Sequence, residues 1–329
     1  MSATDSTRGR ILVTPRSLTK HGHPALDELR AAGYEIVPGP AGRMPTAAEL
    51  TELLPGCVGY LAGVEEISEQ VLAAAPELRA ISRNGVGVDA IDREAADRRG
   101  VRVLTTPGAN AQGVAELAIG FVFAAARGIV AADRAVKAGE WRRTRGLELA
   151  GRTLGVIGAG NIGRRVLAMS RCLGMESLAY DPIAVEDPAV REALERDGHR
   201  AVELADLAGR SDVVSLHAPA QGRPLVDAEF LARVRPGLIL VNTARAALVE
   251  TEAVLEALAD GRVGLYATDV FESEPPVDRR LADHPNVIAT AHVGGYTAES
   301  VDRATEAAVR NLITALGEGR RGDERFAVC

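Results

Sequence analysis

Cysteine is scarce and scattered: Cys57, Cys172 and Cys329 lie far apart, are odd in number and form no CxxC pair. That pattern argues against a disulfide scaffold and a cysteine-built zinc site, and no metal is expected; a reducing cytosol is the simplest context. The opening MSATDSTRGR is polar and carries no secretory signal. Long apolar runs are missing too. The longest uncharged one, Leu117–Ala126, is about half what a bilayer span needs and reads as a buried helix. No block of Lys and Arg occurs, and 38 basic against 45 acidic side chains leave a formal charge of −7. This balance argues against nucleic acid and anionic membrane as main partners. There is no internal repeat and no low-complexity segment. The sequence predicts a soluble, cytoplasmic protein.

What is present is ordinary in amount and informative in order. The chain has 329 residues, 47% hydrophobic and 25% charged, enough for about two domains with substantial cores. Strand candidates in the first third are Ile11–Thr14, Tyr34–Val37, Val58–Leu61, Leu78–Ser82 and Val101–Leu104, with helical stretches between them. Several are too apolar to alternate, as suits strands buried on both faces of a parallel sheet. The pattern restarts with Thr153–Ile157, Ser177–Tyr180, Val213–Leu216, Leu238–Val241, Gly264–Thr268 and Val287–Ala289, which predicts a second α/β unit. One long helical stretch joins the two series, from about Gln112 to Lys137, ended by Gly139 and followed by the single tryptophan, Trp141. It is too apolar for a free linker and is expected to pack between domains or between subunits. The last helical piece, Ala298–Leu316, is too small for a domain and is expected to return to the first unit.

Gly158-Ala159-Gly160-Asn161-Ile162-Gly163 follows a strand and opens a helix. Dinucleotide binding needs one glycine for the tight turn, one for backbone approach to a pyrophosphate and one for close packing of helix on strand. Asp181 ends the next strand, 18 residues beyond Gly163, where a carboxylate bonds ribose hydroxyls. A carboxylate there repels a 2′-phosphate, so NAD is favoured over NADP. Three more residues follow strands of this unit: Arg245, Glu274 and His292. Hydride transfer to a 2-oxo acid needs a proton donor, and histidine titrates in the right range. A carboxylate favours the imidazolium, and a guanidinium grips a substrate carboxylate bidentately.

With these residues the chain resembles the D-isomer-specific 2-hydroxyacid dehydrogenases, the family of D-3-phosphoglycerate, glyoxylate/hydroxypyruvate and D-lactate dehydrogenases. Matching stretches, in order, are Arg83-Asn-Gly-Val-Gly-Val-Asp89, Val114-Ala-Glu116, Gly155 through Gly163, Ser211 through Pro219, Asn242-Thr-Ala-Arg245, Asp269 through Pro275 and His292-Val-Gly-Gly295. The resemblance implies an α/β fold of two doubly wound parallel-sheet domains. A flavodoxin-like substrate domain, residues 1–104 and 293–329, would carry an inserted Rossmann NAD-binding domain, residues 105–292. It implies Arg245 as substrate-binding, His292 as acid/base and Glu274 as its partner. Gly158, Gly160, Asn161, Ile162, Gly163, Asp181, His217, Ala218, Pro219, Thr243, Ala244 and Asp269 would line NAD. The loop Asn84, Gly85, Val86, Gly87 would offer N–H groups to the substrate carboxylate, and the long helix would contact a second subunit of a homodimer.

The chain departs from the family pattern at Ala246, where glycine is usual, at Ala291, where proline is common, at Ala90, and at Gln221-Gly-Arg-Pro224. Glu274 argues against formate as substrate, and Val86 against phosphite. The carboxyl-terminal regulatory domain of many members is not expected. Arg83 and Arg143 suggest a small 2-oxo acid bearing an extra anionic group, like phosphonopyruvate or phosphohydroxypyruvate. The alternatives are glyoxylate/hydroxypyruvate reduction and, in another class, an NAD(H)-sensing corepressor-like binding protein.

Overall fold

The computed structural model describes residues 7–220 and 222–317, so Gln221, Cys329 and the rest of the tail lie outside the described residues. The chain divides into two compact units, one ending at Asn110 and resuming at Ala298, the other Ala111–Thr297.

The first unit is a parallel sheet of β1 (Arg10–Val13), β2 (Glu35–Pro38), β3 (Cys57–Ala62), β4 (Ala80–Arg83) and β5 (Arg102–Leu104), in the order β2-β1-β3-β4-β5. The period of two sends neighbouring side chains to opposite cores. Leu12, Tyr60, Ala62 and Ile81 join one cluster, and Ile11, Val13, Leu61 and Ala80 the other. Both sets are apolar because helices cover both faces, which is why these strands do not alternate. The returning helix Ala298–Gly317 supplies Ala308, Val309, Leu312 and Leu316 to the second cluster. It lies so close that a Cβ on Gly59 would stand 2.9 Å from the Leu316 side chain.

The second unit holds β6 (Thr153–Ile157), β7 (Glu176–Tyr180), β8 (Arg200–Ala201), β9 (Val213–Leu216), β10 (Leu238–Asn242), β11 (Val263–Thr268) and β12 (Val287–Ala289). Their order is β12-β11-β10-β9-β6-β7-β8, all parallel, so the strand order reverses between β6 and β9. Such a reversal opens a crevice beyond the carboxyl ends of the strands. Both units are doubly wound, as expected; β8, only two residues long, left no legible run.

The long helical stretch differs from its sequence reading. It breaks at Gly128, whose φ of 59° is left-handed, into Ala111–Arg127 and Ile129–Lys137, bent by 62°. The first helix belongs to the second unit: Ala115, Ala118, Phe121, Val122 and Ala126 pack with Val156, Val166 and Val241 in one core. The second helix buries no residue, and Trp141 beyond it is 87% exposed. Among the described residues no single helix is long and apolar enough to cross a membrane.

The chain changes unit beyond 104 and 292. Thr106 donates its N–H to Gly85 (3.0 Å), and Asn311 and Arg303 bond the carbonyls of Thr105 and Ala109 (both 2.9 Å), which keeps that segment in the first unit.

Candidate active site

Register places the functional turns side by side. Ile157 at the end of β6 pairs with Tyr180 on β7 and Leu216 on β9, so Gly158, Asp181 and His217 emerge together. A Cβ on Gly158, whose φ is 94°, would stand 2.6 Å from the Ala218 nitrogen. One on Gly163 would stand 1.9 Å from the Gly158 carbonyl oxygen. These two glycines are required by the protein's own packing. Gly160 is different: nothing lies within 4 Å of a Cβ there, so its bareness leaves open room for a close-lying group. Asp181 braces the turn, with Oδ2 accepting the Ala159 N–H (2.8 Å) and Oδ1 the Ile183 N–H (2.9 Å). Each carboxylate oxygen keeps a further lone pair for another donor.

Two orphaned polar atoms stand near this crevice. His217 Nε2 pairs with Ser215 Oγ (2.8 Å), while its Nδ1 is buried without a partner. Burial pushes the ring to a pKa of about 3, so it stays neutral. Thr243, after β10, has a buried and unpartnered Oγ1. Buried polar atoms of this kind normally find partners. Open space at Gly160, a carboxylate at Asp181 and unmet polar atoms at His217 and Thr243 fit a dinucleotide.

A second group forms beyond β10, β11 and β12, whose ends Asn242, Thr268 and Ala289 are in register. Asn242 shapes the turn that carries Arg245, accepting the Ala244 N–H (3.0 Å) and donating to the Arg245 carbonyl (2.8 Å). Glu274 and His292 meet directly: Nδ1 lies 2.8 Å from Oε2 and 3.0 Å from Oε1. The hydrogen bond to Glu274 raises the His292 pKa, burial opposes it, and the charges of Glu274 and Asp269 add to the rise while Arg245 lowers it. Burial pushes the Glu274 carboxyl up, but the bond and charge of His292, the Phe271 N–H and the charge of Arg245 together bring it below the usual carboxylate range. Arg245 therefore acts on both members of the pair.

His292 has a φ of 53°, in the left-handed region that non-glycine residues rarely occupy. Asp269, 1% exposed, holds it there. Its Oδ1 accepts the Val293 N–H (2.8 Å) and the Thr290 hydroxyl (2.5 Å), and its Oδ2 the Gly294 N–H (2.8 Å). The sequence reading took Asp269 only as a cofactor residue and missed this brace; the Thr290 hydroxyl two residues before His292 was the available signal.

The structure does not join Arg143 to this group; it sits on an exposed segment without regular structure. Arg83 belongs to the first unit and folds over its own loop. Its Nε donates to the Gly87 carbonyl (3.1 Å) and its Nη1 to that of Asn84 (2.7 Å). Asn84 donates to Thr305 Oγ1 (3.3 Å) and keeps a buried, unpartnered Oδ1. Glu65, beyond β3, is 5% exposed. It accepts from Thr14, from the Tyr60 hydroxyl (2.5 Å) and from the Gly63 N–H (2.9 Å).

Residues 119–294 match the NAD binding domain of D-isomer specific 2-hydroxyacid dehydrogenases. The chain is 38% identical over 277 residues to a hydroxypyruvate reductase of Thermotoga maritima, covering 82% of this chain and 88% of that one. It is 40% identical over 239 residues to a D-3-phosphoglycerate dehydrogenase of Methanocaldococcus jannaschii, 71% of this chain but 45% of that longer one. The TT0316 protein of Thermus thermophilus superposes with a TM-score of 0.81 at 34% identity, over 94% of this chain and 97% of that one.

Proposed function

Because the chain belongs to the D-isomer specific 2-hydroxyacid dehydrogenase family and is an NAD-dependent enzyme interconverting small 2-oxo and 2-hydroxy acids, we propose that it reduces hydroxypyruvate to D-glycerate or glyoxylate to the achiral glycolate. The observation that carries the reading is the Glu274–His292 pair at 2.8 Å, on which the charge of Arg245 acts.

NAD, when bound, supplies the hydride chemistry. Gly158, Gly160, Asn161, Ile162 and Gly163 would hold its pyrophosphate and Asp181 its ribose. Segment His217–Pro219, Thr243 and Ala244 would line the rest. Glu274 takes the Nδ1 proton of His292 as a hydrogen bond, which leaves Nε2–H as the donor to the substrate carbonyl oxygen. In the reverse direction the neutral ring takes the hydroxyl proton at Nε2. Arg245 would bind the substrate carboxylate through its guanidinium. In the first unit, the N–H groups of Asn84 and Gly85 already bond the Ala62 and Arg83 carbonyls (2.9 and 2.8 Å), so those of Val86 and Gly87 would be the ones offered to a carboxylate.

A second anionic group on the substrate has less support than the sequence suggested. Arg83 commits donors to the carbonyls of its own loop, and Glu65 sets a buried carboxylate beyond the neighbouring strand. Oxidation of NADH, followed by its absorbance, is the test across glyoxylate, hydroxypyruvate, 3-phosphohydroxypyruvate and phosphonopyruvate. The highest kcat/KM is expected for one of the first two. A preference for a phosphorylated acid or the phosphonate would reverse the substrate assignment. Tight NADH binding without any turnover would favour the binding-protein alternative.

A further inference from the structure

The second unit carries a cleft that the reaction does not use. It has a volume of about 600 Å³ and lies between the helix Asn161–Cys172 and the segment after the helix Pro188–Arg196, lined by Arg164, Arg171, Cys172, Arg196, Asp197 and His199. Three arginines and one aspartate line it, in a chain whose net charge is −7. Arg171 bonds the Asp197 carbonyl, Arg164 stands 3.7 Å from the Asp197 carboxylate, and Arg196 makes no side-chain bond among the described residues. His199 is 5% exposed, and its Nδ1 is buried with no partner. Burial, then the charge of Arg171, holds that ring below its ordinary range, so it remains neutral. Guanidinium groups that outnumber the nearby carboxylate are the donors that phosphate sites use.

Arg164 connects this cleft to the cofactor turn. Its Nε donates to the Ala159 carbonyl (3.0 Å), while the Ala159 N–H is held by Asp181 (2.8 Å). Ala159 is thus gripped from both sides, and one grip belongs to a residue of the cleft.

We infer that the cleft is a binding site for a phosphate group, free or as a monoester, and that occupancy weakens dinucleotide binding by drawing Arg164 off the Ala159 carbonyl. Linkage makes the effect reciprocal: NADH must weaken phosphate binding by the same factor.

The test is NADH titration by its fluorescence, with inorganic phosphate, with glycerol phosphate, and with chloride at equal ionic strength. Both phosphates are expected to raise the NADH Kd by about fivefold or more relative to chloride, a typical coupling factor. The tighter of the two identifies the source. The double variant Arg171→Ala/Arg196→Ala, altered only at exposed positions, should bind NADH as before and lose the phosphate effect. A phosphorus NMR titration should show phosphate binding in the parent and none in that variant. An effect that persists in the variant would put phosphate in the cofactor's own pyrophosphate cradle and overturn the inference. So would an unchanged Kd in the parent protein.

Discussion

Asp269 Oδ1 accepts the Val293 backbone N–H at 2.8 Å, and this bond sets where His292 stands. Together with the Gly294 N–H on Oδ2, it fixes the chain immediately after the histidine, whose φ of 53° then persists. The His292–Glu274 geometry depends on a carboxylate that touches neither side chain.

Replacing Asp269 with Asn should therefore disturb catalysis through position. An amide retains one acceptor and sets its NH2 against a backbone N–H. We expect kcat to fall by up to about 10²-fold, as small misplacements of reacting groups do. Thermal unfolding should shift down as well, since each lost bond to a buried charged group costs about 1.5–3 kcal/mol. A variant with wild-type kcat would show that the brace is dispensable.

His292→Asn should lower turnover roughly 10²–10⁴-fold, the range for loss of general acid–base help. NADH affinity, measured by fluorescence, should stay nearly constant. A parallel collapse of that affinity would make the histidine structural.

The pH dependence has a definite sign. Glu274 raises the His292 pKa above 6.5. Reduction needs the protonated ring, so its rate should be full at low pH and fall as pH rises through that raised value. Glu274→Gln removes the charge that favours imidazolium and should move the falling limb to lower pH. An unmoved limb in a kcat/KM profile would assign it to another group.

Asp181→Ser should relax the preference for NAD over NADP, because the repulsion of a 2′-phosphate is gone. It should also weaken NADH binding, because the brace on the Ala159 N–H (2.8 Å) is lost. Equal discrimination before and after would refute the ribose role.

Two glycines of the turn should separate in behaviour. Gly163→Ala drives a Cβ to 1.9 Å from a carbonyl oxygen. It should cost about 3 kcal/mol or more of stability, at the upper end for overpacking. Gly160→Ala has open space and a φ of −79°. It should fold with a near-normal melting temperature yet bind NADH more weakly. Normal NADH binding by Gly160→Ala would remove the close-approach argument.

The sequence by itself determined the two α/β series and the dinucleotide turn, and it offered Arg245, Glu274 and His292 as candidates. Each of these is written locally. A strand buried on two faces reads as an unbroken apolar run, and a turn that tolerates no Cβ reads as glycine. Only the tertiary structure decided the rest, because it depends on partners distant in the chain. The break at Gly128 depends on where the core of the second unit ends, since Val122 and Ala126 are buried in it while no residue from Ile129 to Lys137 is. Arg83 looked available for an anion until its loop curled back to present two carbonyls to it. Asp269 looked like one more cofactor residue; a register that sets Thr268 beside Ala289 turned it into the anchor of His292. Which groups carry the chemistry is a matter of residue type, and sequence records type. Where a side chain spends its hydrogen bonds is a matter of neighbours, and those exist only once the strands have aligned.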